Sequence, residues 1–565
     1  MFSNRKGAAF AAGAIISLGA AVRAQTDCFP EKVLASDGAE LDSFGSAIAT
    51  EGTLAVVGAP SAEGVAARSG AAYVLARVGG VWVEVQKVFA SDGGTDNFGA
   101  DVSVSGQNFI VGAVRDDDVA TDAGAAYVFE RGPTGWAQVA KLLAPDGQAN
   151  DSLGAAVALD SDVAFVGAPD DDDVGFSEGS VYLFERGPSG WTFSAKITAP
   201  DADGSDRFGE SVALFGDLAL IGASGDDDRG SNAGAVYAYE HSEFGWVLSE
   251  KFTSSDGAPD DHFGQVLSLD GDRAAVGAPF DDDRGDGSGS VYVFERSPSA
   301  WNETAKLVAS DGASPDRYGI SLDLTGDRIA VGAPGNSDHG GSSGSAYLVE
   351  FDGSQWRETR KFTAHDAAPA DFFGNAVAVE GSLLLVGAAS DDNELGIGAG
   401  ALYPFEIDPL VMPGCVCDSG APCGNLDPGA GCAHFEGFGS RIIACGSTSV
   451  AADELVLTAF HMAPAQFAIF FMGGGSLPRI PFGDGQLCVG TGGIGLFRFP
   501  VQFSGEGRLI SIGPGLVAFT HATFRAAGHI EPGDTWHFQG WYRDPLGPCG
   551  LAFNTSGSIS VTFVP

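Results

Sequence analysis

Phe208-Gly209-Glu210-Ser211-Val212-Ala213-Leu214-Phe215-Gly216-Asp217-Leu218-Ala219-Leu220-Ile221-Gly222-Ala223 is the stretch that decides the fold. Ser211 to Phe215 and Leu218 to Ile221 read as two short strands, and Gly216-Asp217 between them is the turn that a tight hairpin demands. An acidic loop, Gly225-Asp226-Asp227-Asp228-Arg229-Gly230, comes next. A third strand of alternating small and aromatic residues follows, Ala235 to Tyr239, and then a fourth, Trp246 to Phe252. Four short antiparallel strands separated by Gly and Asp turns predict one blade of a β-propeller.

The same unit recurs along the chain. Its leading pair is Phe44-Gly45, Phe98-Gly99, Leu153-Gly154, Phe208-Gly209, Phe263-Gly264, Tyr318-Gly319 and Phe373-Gly374. The second-strand glycine keeps phase at Gly58, Gly112, Gly167, Gly222, Gly277, Gly332 and Gly387. A fixed period means a supersecondary unit stacked on its own copies. The fold expected is therefore all-β: a seven-bladed β-propeller over 31–408, then a disulfide-containing antiparallel β-sandwich-like domain. No window carries a helical period.

Ring closure is legible too. Six repeats own a fourth-strand tryptophan, at Trp82, Trp136, Trp191, Trp246, Trp301 and Trp356, and the seventh has none. Lys32-Val33-Leu34-Ala35-Ser36-Asp37 matches Lys87-Val88-Phe89-Ala90-Ser91-Asp92, so the N-terminal segment is expected to supply the missing outer strand of blade seven. That exchange removes a free edge.

With Phe-Gly, then Gly-Ala-Pro at Gly58-Ala59-Pro60, Gly167-Ala168-Pro169, Gly277-Ala278-Pro279 and Gly332-Ala333-Pro334, the chain resembles FG-GAP repeat proteins. These include the seven-bladed propeller of integrin α subunits and many exported bacterial proteins. The resemblance implies extracellular recognition or adhesion. It does not carry over the calcium loops of that family. The connection between the first two strands is here a minimal turn, as at Gly216-Asp217, with too few oxygens for the six to eight that calcium takes.

Residues 1–24 read as a signal peptide, with Arg5 and Lys6 before an apolar run and Val22-Arg23-Ala24 as the cleavage context. The apolar run is too short to span a bilayer. A secreted, cell-surface or periplasmic protein is expected. Residues 409–432 form a Cys/Gly/Pro-rich linker, and 433–565 the second domain. Seven of the eight cysteines follow Pro413, and export favours disulfides. Closure would bring Cys28 near the exit of blade seven, so a bridge from Cys28 to Cys415 or Cys417 is expected.

The net charge of −44 excludes nucleic acid and anionic lipid as partners. In an up-and-down blade the 2–3 loops and the inter-blade loops share one face, and most of the loop acids fall there. Asp116-Asp117-Asp118, Asp170-Asp171-Asp172 (continued by Asp173), Asp226-Asp227-Asp228 and Asp281-Asp282-Asp283 are the candidate metal ligands. Asp206, Asp261 or Asp316 would join them from the inter-blade loops. Two readings stay open for these residues. Asp suits turns and solubility, and clustered carboxylates suit weak calcium binding. Calcium is the one cofactor considered. The expected partner is an extracellular protein or glycan, cationic or cation-bridged.

No catalytic residues stand out, since repeat-wide residues do not converge on one nucleophile, base and orienting group. His521, His529 and His537 read as ordinary strand positions. The rival functions are an extracellular hydrolase, with its site in the propeller mouth or second domain, and a purely structural surface component.

Overall fold

The computed structural model describes residues 32–407 apart from 67, 79–80 and 174, the strand Val411–Pro413, and most of 440–564. The expected signal peptide, the 414–432 part of the linker and the Cys28 pairing lie outside the described residues. The chain divides into a unit Phe29–Pro409 and a unit that contains Leu410–Pro565.

The first unit is the propeller. Its fourth sheet has strands Ser211–Phe215, Leu218–Ala223, Ala235–Ser242 and Gly245–Phe252, paired in chain order. Phe215 pairs with Leu218, so Gly216-Asp217 is the whole of the turn, as its residue types predict. Five other four-stranded sheets repeat this order, and the seventh sheet is three-stranded over Ala376–Glu380, Leu383–Ala388 and Ala401–Glu406. Val33 completes that last sheet: its N–H donates to the Leu402 carbonyl at 2.8 Å, and the Leu402 N–H returns a bond at 3.0 Å. The closure expected from the sequence is therefore in place.

The second strand of each blade is buried along its length, apart in some blades from its first residue, because neighbouring blades cover both faces. Leu218, Leu220, Val236 and Ala238 of blade four share one buried cluster with Ala274, Val276, Tyr292 and Phe294 of blade five. The motif glycines make such close stacking feasible. Gly209 sits at φ +92°, and a Cβ on Gly222 would overlap the Gly264 carbonyl oxygen of the next blade. The same clash links Gly277 to Gly319, Gly332 to Gly374 and finally Gly387 to Gly45, which closes the ring.

The second unit is also mostly β. Strands Phe467–Gly473, Thr535–Arg543 and Phe553–Thr562 pair in one sheet, and Arg441–Cys445, Val456–Phe460 and Ile510–Ile512 form another. Leu457, Phe470, Phe538, Ile510 and Val561 share one core, which supports the sandwich-like expectation. The sequence suggested no helix, yet Leu516–Thr523 is helical. Its eight residues are too few to show a period, and its order comes from context. Leu516 and Val517 enter the core, and Asp453 accepts from the Val517 and Ala518 N–H groups at 2.7 and 2.9 Å.

Candidate functional site

Each aspartate loop is organised around a lysine from the outer strand of its own blade. In blade four, Lys251 Nζ lies 2.8 Å from Asp201, 2.6 Å from Asp226 and 2.7 Å from Asp228. An ammonium has three donors, and all three are used. The lysine also stands 5.1 Å above the centre of the Tyr237 ring. Tyr237 is a buried third-strand residue whose hydroxyl donates between Asp201 Oδ1 at 2.9 Å and Asp226 Oδ2 at 3.1 Å. Asp226 is 3% exposed.

The arrangement repeats. Lys141 gathers Asp92, Asp116 and Asp118; Lys196 gathers Asp146, Asp171 and Asp173; Lys306 gathers Asp256, Asp281 and Asp283. In blade seven the lysine is Lys32 from the N-terminal segment, on Asp366 at 2.6 Å and Asp391 at 3.0 Å. One acid in each set comes from the loop that ends the preceding blade, so every cluster ties two blades together.

The middle acids have a different task. Asp117 and Asp227 accept the N–H of Asp122 and Asn232, both at 2.8 Å, and Asp282 accepts that of Gly287 at 2.9 Å. Asp117, Asp172, Asp227 and Asp282 are all exposed. Asp170 stands apart from its neighbours and pairs with Arg207 at 3.2 Å. Thus Asp171-Asp172-Asp173 is the in-phase triplet of blade three.

A second row of acids lies behind the first. Asp206 accepts the Asp203 N–H at 2.8 Å, and Asp261 accepts that of Ala258 at 2.7 Å. Both are at most 5% exposed. Burial, together with the charge of Asp226, pushes Asp206 up to about 6, and burial with the charge of Asp281 does the same for Asp261. Asp371 also reaches about 6, through burial and the charge of Asp391. Blade six shows how such a pair is relieved. Asn336 stands in the place of the first triplet acid, and its amide donates to Asp316 Oδ2 at 3.2 Å.

The lysine-bound acids move the other way. Burial opposes ionisation of Asp201, but the Lys251 and Tyr237 bonds outweigh it and hold the carboxyl below its usual range. Asp92, Asp146 and Asp256 behave alike. The lysines are raised in turn: desolvation lowers Lys251, and its three carboxylate bonds more than reverse that.

Sequence reasoning found the acids and missed the lysines, although Lys32, Lys87, Lys141, Lys196, Lys251, Lys306 and Lys361 recur in the period of the blades. Asp206, Asp261 and Asp316 do lie beside the loops, as expected. Asp92, Asp96 and Asp116 are near enough for one oxygen of each to share an ion, though Lys141 already bonds two of them. The third and fourth strands of blades four and five line a polar cleft of about 210 Å³. Its acids are engaged, Glu240 with Arg296 at 2.6 Å and Glu250 with the Trp301 N–H at 2.7 Å. In the second unit, His537 does lie on a strand, whereas His521 lies on the helix and His529 follows a 3₁₀ turn.

A search of curated proteins finds no match. Among solved structures, the chain is similar to Sqt1 of Saccharomyces cerevisiae at 12% identity, over 67% of this chain and 85% of that one. The TM-score is 0.38, too low to carry an argument. The FG-GAP repeat matches seven times, at residues 30–75, 82–129, 136–184, 191–239, 246–294, 301–349 and 356–405. With seven in-phase matches laid over seven sheets, the chain belongs to the FG-GAP repeat family.

Proposed function

We propose that the protein is an exported recognition or adhesion protein whose acidic propeller face binds a cationic or cation-bridged protein or glycan. One observation carries this reading. Each complete lysine cluster sets three carboxylates against one ammonium, and the middle aspartates stay exposed, so the loops remain negative after their internal pairing. A field of one sign over a face steers oppositely charged ligands. Among the described residues no helix is long and apolar enough to cross a membrane. Weak calcium binding is the cation-bridged form of the proposal. Calcium would add at the exposed Asp117, Asp172, Asp227 and Asp282 and leave the lysines in place.

The test is binding of the folded chain to an immobilised lysine-rich peptide and to a glutamate-rich control. The expected result is retention on the basic peptide at low salt, lost near 0.5 M sodium chloride. The combined Asp117→Asn, Asp172→Asn, Asp227→Asn and Asp282→Asn variant should bind at least fivefold more weakly. Calcium-dependent, chelator-sensitive retention on the acidic peptide would mark the bridged form. Retention on the basic peptide that ignores both salt and the four substitutions refutes the acidic face as the binding surface.

A further inference from the structure

His521 and His529 are eight positions apart in sequence and form a stacked pair in space. Their ring centroids are 4.4 Å apart, with planes inclined by 19°. Glu531 stands beside them, its Oε1 3.5 Å from His521 Nε2. One ring nitrogen of each histidine and one Glu531 oxygen lie within 4.8 Å of one another. We propose that these three side chains form a solvent-open binding site for a divalent transition metal of the zinc or copper class.

The hydrogen bonds around the rings point the same way. His521 Nε2 is 3.0 Å from the Ile530 carbonyl oxygen, and His529 Nε2 is 3.1 Å from that of Phe524. A carbonyl only accepts, so the neutral form of each ring carries its hydrogen on Nε2. At His529 this leaves the Nδ1 lone pair to a metal; at His521 the nitrogen nearest Glu531 is Nε2, which a metal would take in place of the Ile530 carbonyl. A backbone carbonyl that fixes the tautomer from the far side of the ring, as that of Phe524 does for His529, is the usual support of a ligating histidine.

The scaffold beneath the site is firm. Leu516, Val517 and Thr520 bury the inner side of the helix, and Thr520 Oγ1 accepts the Ile530 N–H at 3.3 Å. Phe524 packs against Phe497 and Phe499 at centroid distances of 5.2 and 5.4 Å. The ligands themselves face water, with the His521 side chain 39% and the Glu531 side chain 57% exposed. Metal bonds of about 2.0–2.2 Å to imidazole and carboxylate require the donors to draw closer than they now stand. Tilting the exposed His521 ring and the half-buried His529 ring achieves that. Two imidazoles and one carboxylate form a borderline donor set, which favours zinc or copper over calcium, and three protein ligands leave a position for water.

The test uses the full chain with zinc chloride in titration calorimetry, and cupric ion in electron paramagnetic resonance. One zinc per chain should bind at pH 7.5 through this site. His521→Ala and His529→Ala should each remove that binding event, and Glu531→Gln should weaken it about tenfold while keeping both rings. The cupric spectrum should show two nitrogen ligands in the parent and fewer in His521→Ala. All three positions are accessible to solvent, and unchanged metal-free melting temperatures will establish that the variants fold. If His521→Ala misfolds, Glu531→Gln together with the parent cupric spectrum decides the question. Zinc stoichiometry and affinity unaffected by Glu531→Gln and by removal of either ring overturn the site, as does a cupric spectrum without nitrogen ligands in the parent.

Discussion

Lys251 determines what the three acids around it can do. With the ammonium present, Asp201, Asp226 and Asp228 share one counter-charge, and a divalent ion would have to displace it. Replacing it by methionine keeps most of the volume and strands the carboxylates. Lys251→Met should destabilise the protein by about 2–4 kcal/mol, somewhat below the cost of breaking a fully buried pair, because Asp201 and Asp228 retain contact with water. Calcium near a millimolar should then raise the melting temperature of Lys251→Met beyond the effect of ionic-strength-matched sodium chloride. In the parent, where calcium reaches only the exposed middle aspartates, its excess over sodium should be smaller. Equal calcium increments in both proteins would show that the lysine is not what fills the loop. At the neighbouring acid pair, Asp226→Asn copies what blade six does with Asn336. That variant should lie within about 1 kcal/mol of the parent at pH 7.5, whereas Asp226→Ala should lose about 2–3 kcal/mol by leaving its neighbours unpaired. Asp226→Asn should also gain on the parent as pH rises from 5 to 7.5, since Asp206 then ionises without the charge of Asp226 beside it. Urea denaturation at the two pH values measures this, and parallel pH dependence would exclude the repulsion.

At the scale of elements, the N-terminal segment does two jobs that can be separated. Val33 exchanges two backbone bonds with Leu402, and Lys32 neutralises Asp366 and Asp391. Val33→Pro removes one donor and should cost about 1 kcal/mol beyond any change in packing. Lys32→Met should cost more, since Asp391 is 1% exposed. Removing residues up to 37 takes away both, along with Asp37, the partner of Lys87 at 2.7 Å. The exposed edge of Ala401–Glu406 should then recruit other chains. Analytical ultracentrifugation checks this, and a truncated chain that stays monomeric with an unchanged melting temperature would refute the closure.

For the whole molecule, the two rows of acids set opposing pH limits. Asp206, Asp261 and Asp371 have folded values near 6, above the unfolded value of about 3.8, and Asp42, Asp96, Asp151 and Asp316 are also raised. The folded state therefore binds more protons between about 4 and 6, and these groups lose stability as pH rises through that window. Asp37, Asp92, Asp146, Asp201 and Asp256 are lowered, so their contribution is present above about 3.8 and is lost as pH falls through their folded values. The raised lysines keep their share throughout, since it is lost only above their unfolded value near 10.5. The melting temperature should peak near pH 4, fall by several degrees between about pH 4 and 6, and level off above that window. A profile still rising from pH 5 to 8 would contradict the buried acid row.

Much of this architecture was legible in the chain itself. Each blade of about 55 residues carries its own strands, turn and glycines, and Gly209 and Gly222 have one explanation that holds all the way round to Gly387 and Gly45. Local pattern and period determined the blade, the number of blades and the closing strand, because those features depend on residues near one another or in register. The fate of a carboxylate depends instead on which charge reaches it in space. Lys251 meets Asp228 from 23 positions away and Asp201 from 50, so acids that stand bare along the sequence are mostly paired in the fold. Likewise, His521 and His529 look like isolated strand residues until the helix Leu516–Thr523 and the turn after it stack their rings. Only tertiary packing decided those two sites, because coulombic attraction and coordination act between neighbours in space, whatever their separation along the chain.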